Sequence, residues 1–103
     1  GVQGSIKATL SRLKGVQAAF IYGSFAKGAE KEDSNINIMV IGQVNITELN
    51  DMVMGLEEKL KREIDYLVFD EQEYRKRKDS KDPFIREVVK GKKIFLAGKE
   101  DDL

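Results

Sequence analysis

Cysteine, histidine and tryptophan are absent from the 103 residues, and proline occurs once. Without cysteine there is no disulfide, no thiolate metal site and no cysteine nucleophile. Without histidine, zinc sites of the usual kind and Ser-His-Asp catalysis are excluded as well. Net charge is missing too, since 18 basic side chains cancel 18 acidic ones. Bulk charge therefore directs the chain to neither nucleic acid nor a membrane. No apolar run reaches the roughly 18 residues of a membrane helix, so no membrane partner is expected and a cytoplasmic protein is the default expectation. The length suits one domain with a real core.

What is present centres on one stretch, Ala19-Phe20-Ile21-Tyr22-Gly23-Ser24-Phe25-Ala26-Lys27-Gly28, followed by Asp33-Ser34-Asn35-Ile36-Asn37-Ile38-Met39-Val40. An apolar run ends in Gly-Ser, a short turn carries a lysine, and a second apolar run opens with polar residues at alternate positions. Strand alternation sends Asn35, Asn37, Met39 and Ile41 to one face and Ile36, Ile38 and Val40 to the other. Asn35 and Asn37 then stand side by side, roughly 7 Å apart by the strand rise. Gly23 at the strand end permits a sharp turn and close approach of a ligand, and the residues after it can start a helix whose N–H groups face an anion.

Around this stretch the chain reads as alternating helices and strands. Gly1 to Gly4 looks like a tag remnant or linker stub, and the abrupt start leaves room for a longer protein of which this is a fragment. Ser5 is a candidate cap for a helix to about Lys14, with Ile6, Leu10 and Leu13 on one face. Residues 16–22, 35–41, 63–69 and 93–97 read as strands. Asn45 and Glu48 form a candidate capping box for a helix whose inner face is Ile46, Leu49, Val53, Leu56 and Leu60; Gly55 within it suggests close packing. Asp70 and Glu73 form a second box, opening a short polar helix, and Asp82-Pro83 opens a third helix that stops at Gly91. The tail from Gly98 reads as disordered. The expected fold is α+β in two layers: a mixed sheet of about four strands with helices packed on one face. One domain spans 1–103, with its core at about 5–97. Tyr74-Arg75-Lys76-Arg77-Lys78 with Lys81 reads as a solvated helix face, so nucleic acid is not expected to bind through this domain alone.

The Gly-Ser turn and the strand behind it resemble the signature of the nucleotidyltransferase superfamily typified by DNA polymerase beta, in its minimal single-domain branch. That signature is Gly-Ser, ten residues, then Asp-x-Asp on a strand. Here Gly23-Ser24 is followed by the ten residues Phe25 to Ser34 and then by Asn35-Ile36-Asn37. Spacing and flanking hydrophobics fit, while the two acids are amides. The resemblance implies a mixed sheet backed by helices, in agreement with the reading of the elements.

It also implies a chemistry. Gly23, Ser24 and Lys27 would bind the triphosphate of an NTP. Positions 35, 37 and 65 would carry the metal-binding and catalytic side chains for Mg²⁺, with Asp65 matching the third carboxylate. With amides at 35 and 37 only Asp65 keeps its charge, so the site is weakened for Mg²⁺ and catalysis is expected to be impaired. Two isosteric replacements beside an intact turn point to engineering or to a surviving binding role. The resemblance implies an NTP as substrate and a protein acceptor, or a helical toxin-like partner that such domains nucleotidylate. Its rival is a non-enzymatic nucleotide-sensing or partner-docking module of a regulatory protein.

Overall fold

Aliphatic and aromatic runs separated by turn residues form one sheet, as β-rich, half-buried segments do. The computed structural model describes residues 1–31 and 34–103. In chain order they form α1 (Val2–Leu10), β1 (Val16–Tyr22), β2 (Ile36–Gly42), α2 (Ile46–Leu60), β3 (Ile64–Phe69), α3 (Glu71–Asp79), α4 (Pro83–Lys90) and β4 (Ile94–Ala97). The four strands lie in the order β3-β2-β1-β4. β1 is antiparallel to both β2 and β4, whereas β2 and β3 are parallel and joined through α2. The sheet is therefore mixed, and the fold is α+β.

Both faces of the sheet are covered, which corrects the expectation of helices on one face. Ile6, Leu10, Leu49, Val53 and Leu56 of α1 and α2 pack on Ala19, Ile21, Ile36, Ile38 and Val40. On the other side Tyr74 of α3 and Ile85 and Val88 of α4 pack on Phe20, Met39, Ile41 and Phe69. The cause lies in β1 and β2, whose central residues are apolar at every position rather than at every second one. Such strands need cover on both sides.

Several local expectations are corrected as well. The first helix starts at Val2, not Ser5, because Val2 joins Ile6 and Leu10 on the core face; Ser5 lies inside the helix with its N–H bonded to the Gly1 carbonyl at 3.0 Å. The helix ends at Leu10, and a tighter turn carries Leu13 into the core. Ile46 is 52% exposed, outside the apolar stripe of α2, and a side chain at Gly55 would meet nothing within 4 Å. Asn45 caps α2 by accepting from the Glu48 N–H at 2.9 Å. The box at α3 is complete in both directions, Glu73 N–H to Asp70 at 2.8 Å and Asp70 N–H to Glu73 at 3.0 Å.

The C-terminal segment is ordered rather than loose. Glu100–Asp102 form a 3₁₀ turn, and Leu103 packs against the aromatic core while its carbonyl accepts from the Tyr74 hydroxyl at 3.3 Å. Glu100 pairs at 3.2 Å with the Lys93 ammonium, which also donates to the carbonyls of Val89 and Gly91. These partners satisfy the donors of a lysine side chain that is only 4% exposed. Among the described residues no helix is long and apolar enough to cross a membrane.

Candidate functional site

The helices of the second face leave one end of the sheet uncovered, and the polar residues of β2 and β3 stand there. The parallel register sets Asn37 opposite Asp65. Asn35, just before β2, donates its amide Nδ2–H to Asp65 Oδ2 at 2.9 Å. Asn35 and Asp65 are exposed, and Asn37 is half-buried. The structure thus brings the three together on one face, through strand alternation in β2 and in β3. Asp33, which precedes them, lies outside the described residues.

The Gly23 turn closes on the same place. Tyr22, the last residue of β1, pairs with Asn37, and a Cβ built on Gly23 would stand 3.0 Å from Asn37 Nδ2. Gly23 has φ +80°, where a side chain would be strained, so both the backbone and the neighbour favour glycine here. No helix starts at Ser24; instead the chain makes one irregular turn. Its bonds run from Lys27 N–H to Gly23 O (3.1 Å), Gly28 N–H to Phe25 O (3.1 Å) and Ala29 N–H to Ser24 O (2.9 Å). The N–H groups of Ser24, Phe25 and Ala26 take no part in these bonds, which gives the turn the donor pattern of an anion-binding concavity.

Two residues at the site carry roles that the motif did not disclose. Arg62, between α2 and β3, donates from Nε and Nη2 to the Ser34 carbonyl at 3.2 and 2.9 Å, and its guanidinium lies 5.8 Å from the Phe25 ring centroid. It ties the turn after Gly23 to the approach to β2. Tyr22 sits beside Asp65, and burial first, then the negative charge of Asp65, push its phenol above the ordinary value of 10.0. Tyr22 thus stays a neutral donor at physiological pH. Neither residue has a spacing signal of its own: Tyr22 is placed by strand pairing and Arg62 by its bonds to the Ser34 carbonyl.

Lys27 reaches the rim of a cavity of about 220 Å³ lined by Tyr22, Gly23, Phe84, Glu87, Val88, Gly91 and Lys92. The side of Asn35, Asn37 and Asp65 offers little to a metal ion. Among the described residues no three His, Cys, Asp or Glu side chains converge. Asp65 supplies a single carboxylate, one of whose oxygens already accepts from Asn35. Two divalent cations need more negative charge than that, so a pair of metal ions does not fit this donor set.

This arrangement of turn, paired polar strands and mixed sheet defines a class that comparison with known proteins also returns. Residues 4–101 match the family model "Polymerase beta, Nucleotidyltransferase". The chain belongs to this family. No curated protein gave a match. Solved structures similar in fold include a toxin–antitoxin with AMP-PNP, at 18% identity and TM-score 0.68, covering 97% of this chain and 76% of that one. A toxin–antitoxin MntA–HpeT mutant with two aspartates changed to glutamate aligns at 17% identity and TM-score 0.68, with the same coverage. A tri-AMPylated HEPN toxin in complex with MNT antitoxin, from Shewanella oneidensis, aligns at 15% identity and TM-score 0.63, covering 98% and 73%. At these identities the likeness concerns the fold.

Proposed function

We propose that this domain binds an Mg-NTP through the Gly23-Ser24 turn and Lys27, and that its Asp-bearing form transfers a nucleoside monophosphate to an acceptor hydroxyl. As it stands, with Asn35 and Asn37, transfer is impaired. The observation that carries the reading is the placement of the Gly23 turn beside Asn37, through the pairing of Tyr22 with Asn37, together with the 2.9 Å bond from Asn35 to Asp65. Membership of the nucleotidyltransferase family supports it.

The residues divide the work between binding and chemistry. The backbone of the turn and the Ser24 hydroxyl offer donors to phosphate oxygens, and Lys27 adds a cation. Asp65 with the amide oxygens of Asn35 and Asn37 makes a weakened site for one Mg²⁺, since an amide is a neutral dipole. Arg62 holds the turn in register with β2, so phosphate and acceptor would meet beside Asp65. A toxin-like protein is the proposed acceptor or partner; the similar folds that come from toxin–antitoxin complexes, one of them AMPylated, support that choice. The single remaining carboxylate favours a second reading, a nucleotide-sensing or partner-docking module without catalysis.

Calorimetry with Mg-ATP tests the proposal on the unaltered chain and on the double variant Asn35→Asp/Asn37→Asp. The unaltered chain is expected to bind weakly and with little dependence on Mg²⁺. The double variant should bind at least about tenfold more tightly in Mg²⁺, as each added unit charge near a divalent ion contributes on the kcal/mol scale. Equal affinity in both forms overturns the assignment. Nucleotide transfer gained by the double variant supports the enzyme reading, and binding gained without transfer supports the docking module.

A further inference from the structure

Phe84 is the second residue of α4 and is 45% exposed, although its ring has a place prepared for it. Asp82 accepts from the N–H groups of Phe84 and Ile85 at 2.9 and 3.1 Å, which fixes the first turn of the helix over the end of β1. The Phe84 ring meets Tyr22 edge to face, centroids 6.1 Å apart at 78°. Behind the pair lies Val88, part of the aromatic core. Tyr22, Phe84 and Val88 form the apolar side of the 220 Å³ cavity that Gly23 and Lys27 also line, so the cavity opens directly onto the turn described above.

The size and the charges of this cavity decide what it takes. Pockets for whole drug-sized ligands run to about 300–1,000 Å³, so this one accommodates a flat ring system and not a whole nucleotide. Glu87, Lys27 and Lys92 are among its lining residues, so the same wall offers an acceptor for an amino group and cations for a phosphate arm. An exposed aromatic beside a phosphate-binding turn is suited to stacking on a base, which any base permits because each has a π-face.

We propose that the cavity between α4 and the end of β1 receives the aromatic base of the nucleotide. Phe84 and Tyr22 form its stacking wall, and Glu87 accepts from an exocyclic amino group. The inference rests on the nucleotide-binding reading and adds to it the half of the ligand that the Gly-Ser turn does not touch. It prefers bases with an exocyclic amino group, such as adenine, over uracil, which has none.

Calorimetry with Mg-ATP, Mg-UTP and Mg-tripolyphosphate separates base from phosphate. In the unaltered chain ATP should bind about tenfold or more tightly than tripolyphosphate. Phe84→Ala should bring ATP down to the tripolyphosphate level and leave tripolyphosphate itself unchanged. Glu87→Ala should abolish the preference for ATP over UTP. Because the chain contains no tryptophan, Phe84→Trp supplies a single fluorescent reporter, quenched by ATP and not by tripolyphosphate. ATP affinity unaffected by Phe84→Ala, with a Phe84→Trp signal indifferent to ATP, overturns the base site while tripolyphosphate binding leaves the turn assignment standing. UTP equal to ATP in the unaltered chain overturns the role of Glu87. Failure of both ATP and tripolyphosphate to bind overturns the nucleotide-binding reading, and the base site with it.

Discussion

The two faces of the sheet are built from the same four strands but differ in how they are closed. Under α1 and α2 the contact is continuous and aliphatic, with Ile6, Ile21, Ile36, Ile38 and Leu49 each 1% exposed or less. The opposite face is aromatic and only partly covered, with Phe20, Met39 and Ile41 buried under α3 and α4 but Asn35, Asp65 and Leu67 left in the open. A parallel pair such as β2 and β3 is normally buried on both sides. Here it is uncovered at one end, and that end holds the polar trio and the Gly23 turn. The first face is closed along its length, whereas the second is closed by its own aromatic core at one end and leaves the other end free to present a site.

The largest expected effect is a stability contrast between the faces. Ile38→Ala, inside the closed face, should cost about 2–5 kcal/mol through lost burial and the cavity left behind. Leu67→Ala on the open part, where the side chain is 39% exposed, should change stability by about 0.5 kcal/mol or less, as surface substitutions do. Urea melts of both variants check this, and similar losses would mean the open end is covered in solution.

A smaller effect is expected where the second face meets the C-terminal segment. Lys93→Met leaves the Val89 and Gly91 carbonyls and the Glu100 carboxylate without their shared donor, and should cost about 1–3 kcal/mol. Glu100→Gln should cost less, since Glu100 is 62% exposed and the ammonium keeps both carbonyls. The same melts read both variants, and a larger loss from Glu100→Gln would contradict the placement of Lys93.

The smallest effect is a titration. The Tyr22 phenol is raised above 10.0 by burial and by Asp65, so the folded state holds its proton longer than the unfolded chain does. Its contribution to stability is complete below the ordinary value and is lost as pH rises through the raised folded value. Asp65→Asn removes the second of the two causes, so Tyr22 should ionise at lower pH in that variant. Ultraviolet titration, with Tyr66 and Tyr74 replaced by Phe, follows it; an unchanged midpoint would show that Asp65 does not face Tyr22.

Much of this architecture could be read locally. The caps at Asn45, Asp70 and Asp82 each carry their own side-chain signal, and period-two alternation sorts the residues within β2 and within β3 by face, while the parallel register brings Asn37 and Asp65 to the same one. What could not be read depends on distant packing. α3 contributes one buried side chain, Tyr74, so no periodic stripe announces that it covers the sheet. Arg62 joins the site through its bonds to the Ser34 carbonyl and Phe84 through helix docking, and Lys93 finds Glu100 only because the last turn folds back. The motif fixes which residues share a face; the topology decides which neighbours they meet there.

The central claim is that positions 35, 37 and 65 form one shared cation site, and denaturant melts of the unaltered chain and of Asn35→Asp/Asn37→Asp, with and without Mg²⁺, test it most directly. Without metal, three crowded carboxylates repel one another, and the double variant should lose about 1–3 kcal/mol at neutral pH. Crowding raises the folded-state pKa of the two introduced carboxyls above their unfolded value of about 3.9. The penalty is therefore absent below that value and develops as pH rises through the raised folded one. Millimolar Mg²⁺ should reverse the loss in the double variant and leave the unaltered chain nearly unchanged, since the metal binds only the folded site. Equal stability of the two forms, indifferent to pH and to Mg²⁺, would contradict the account.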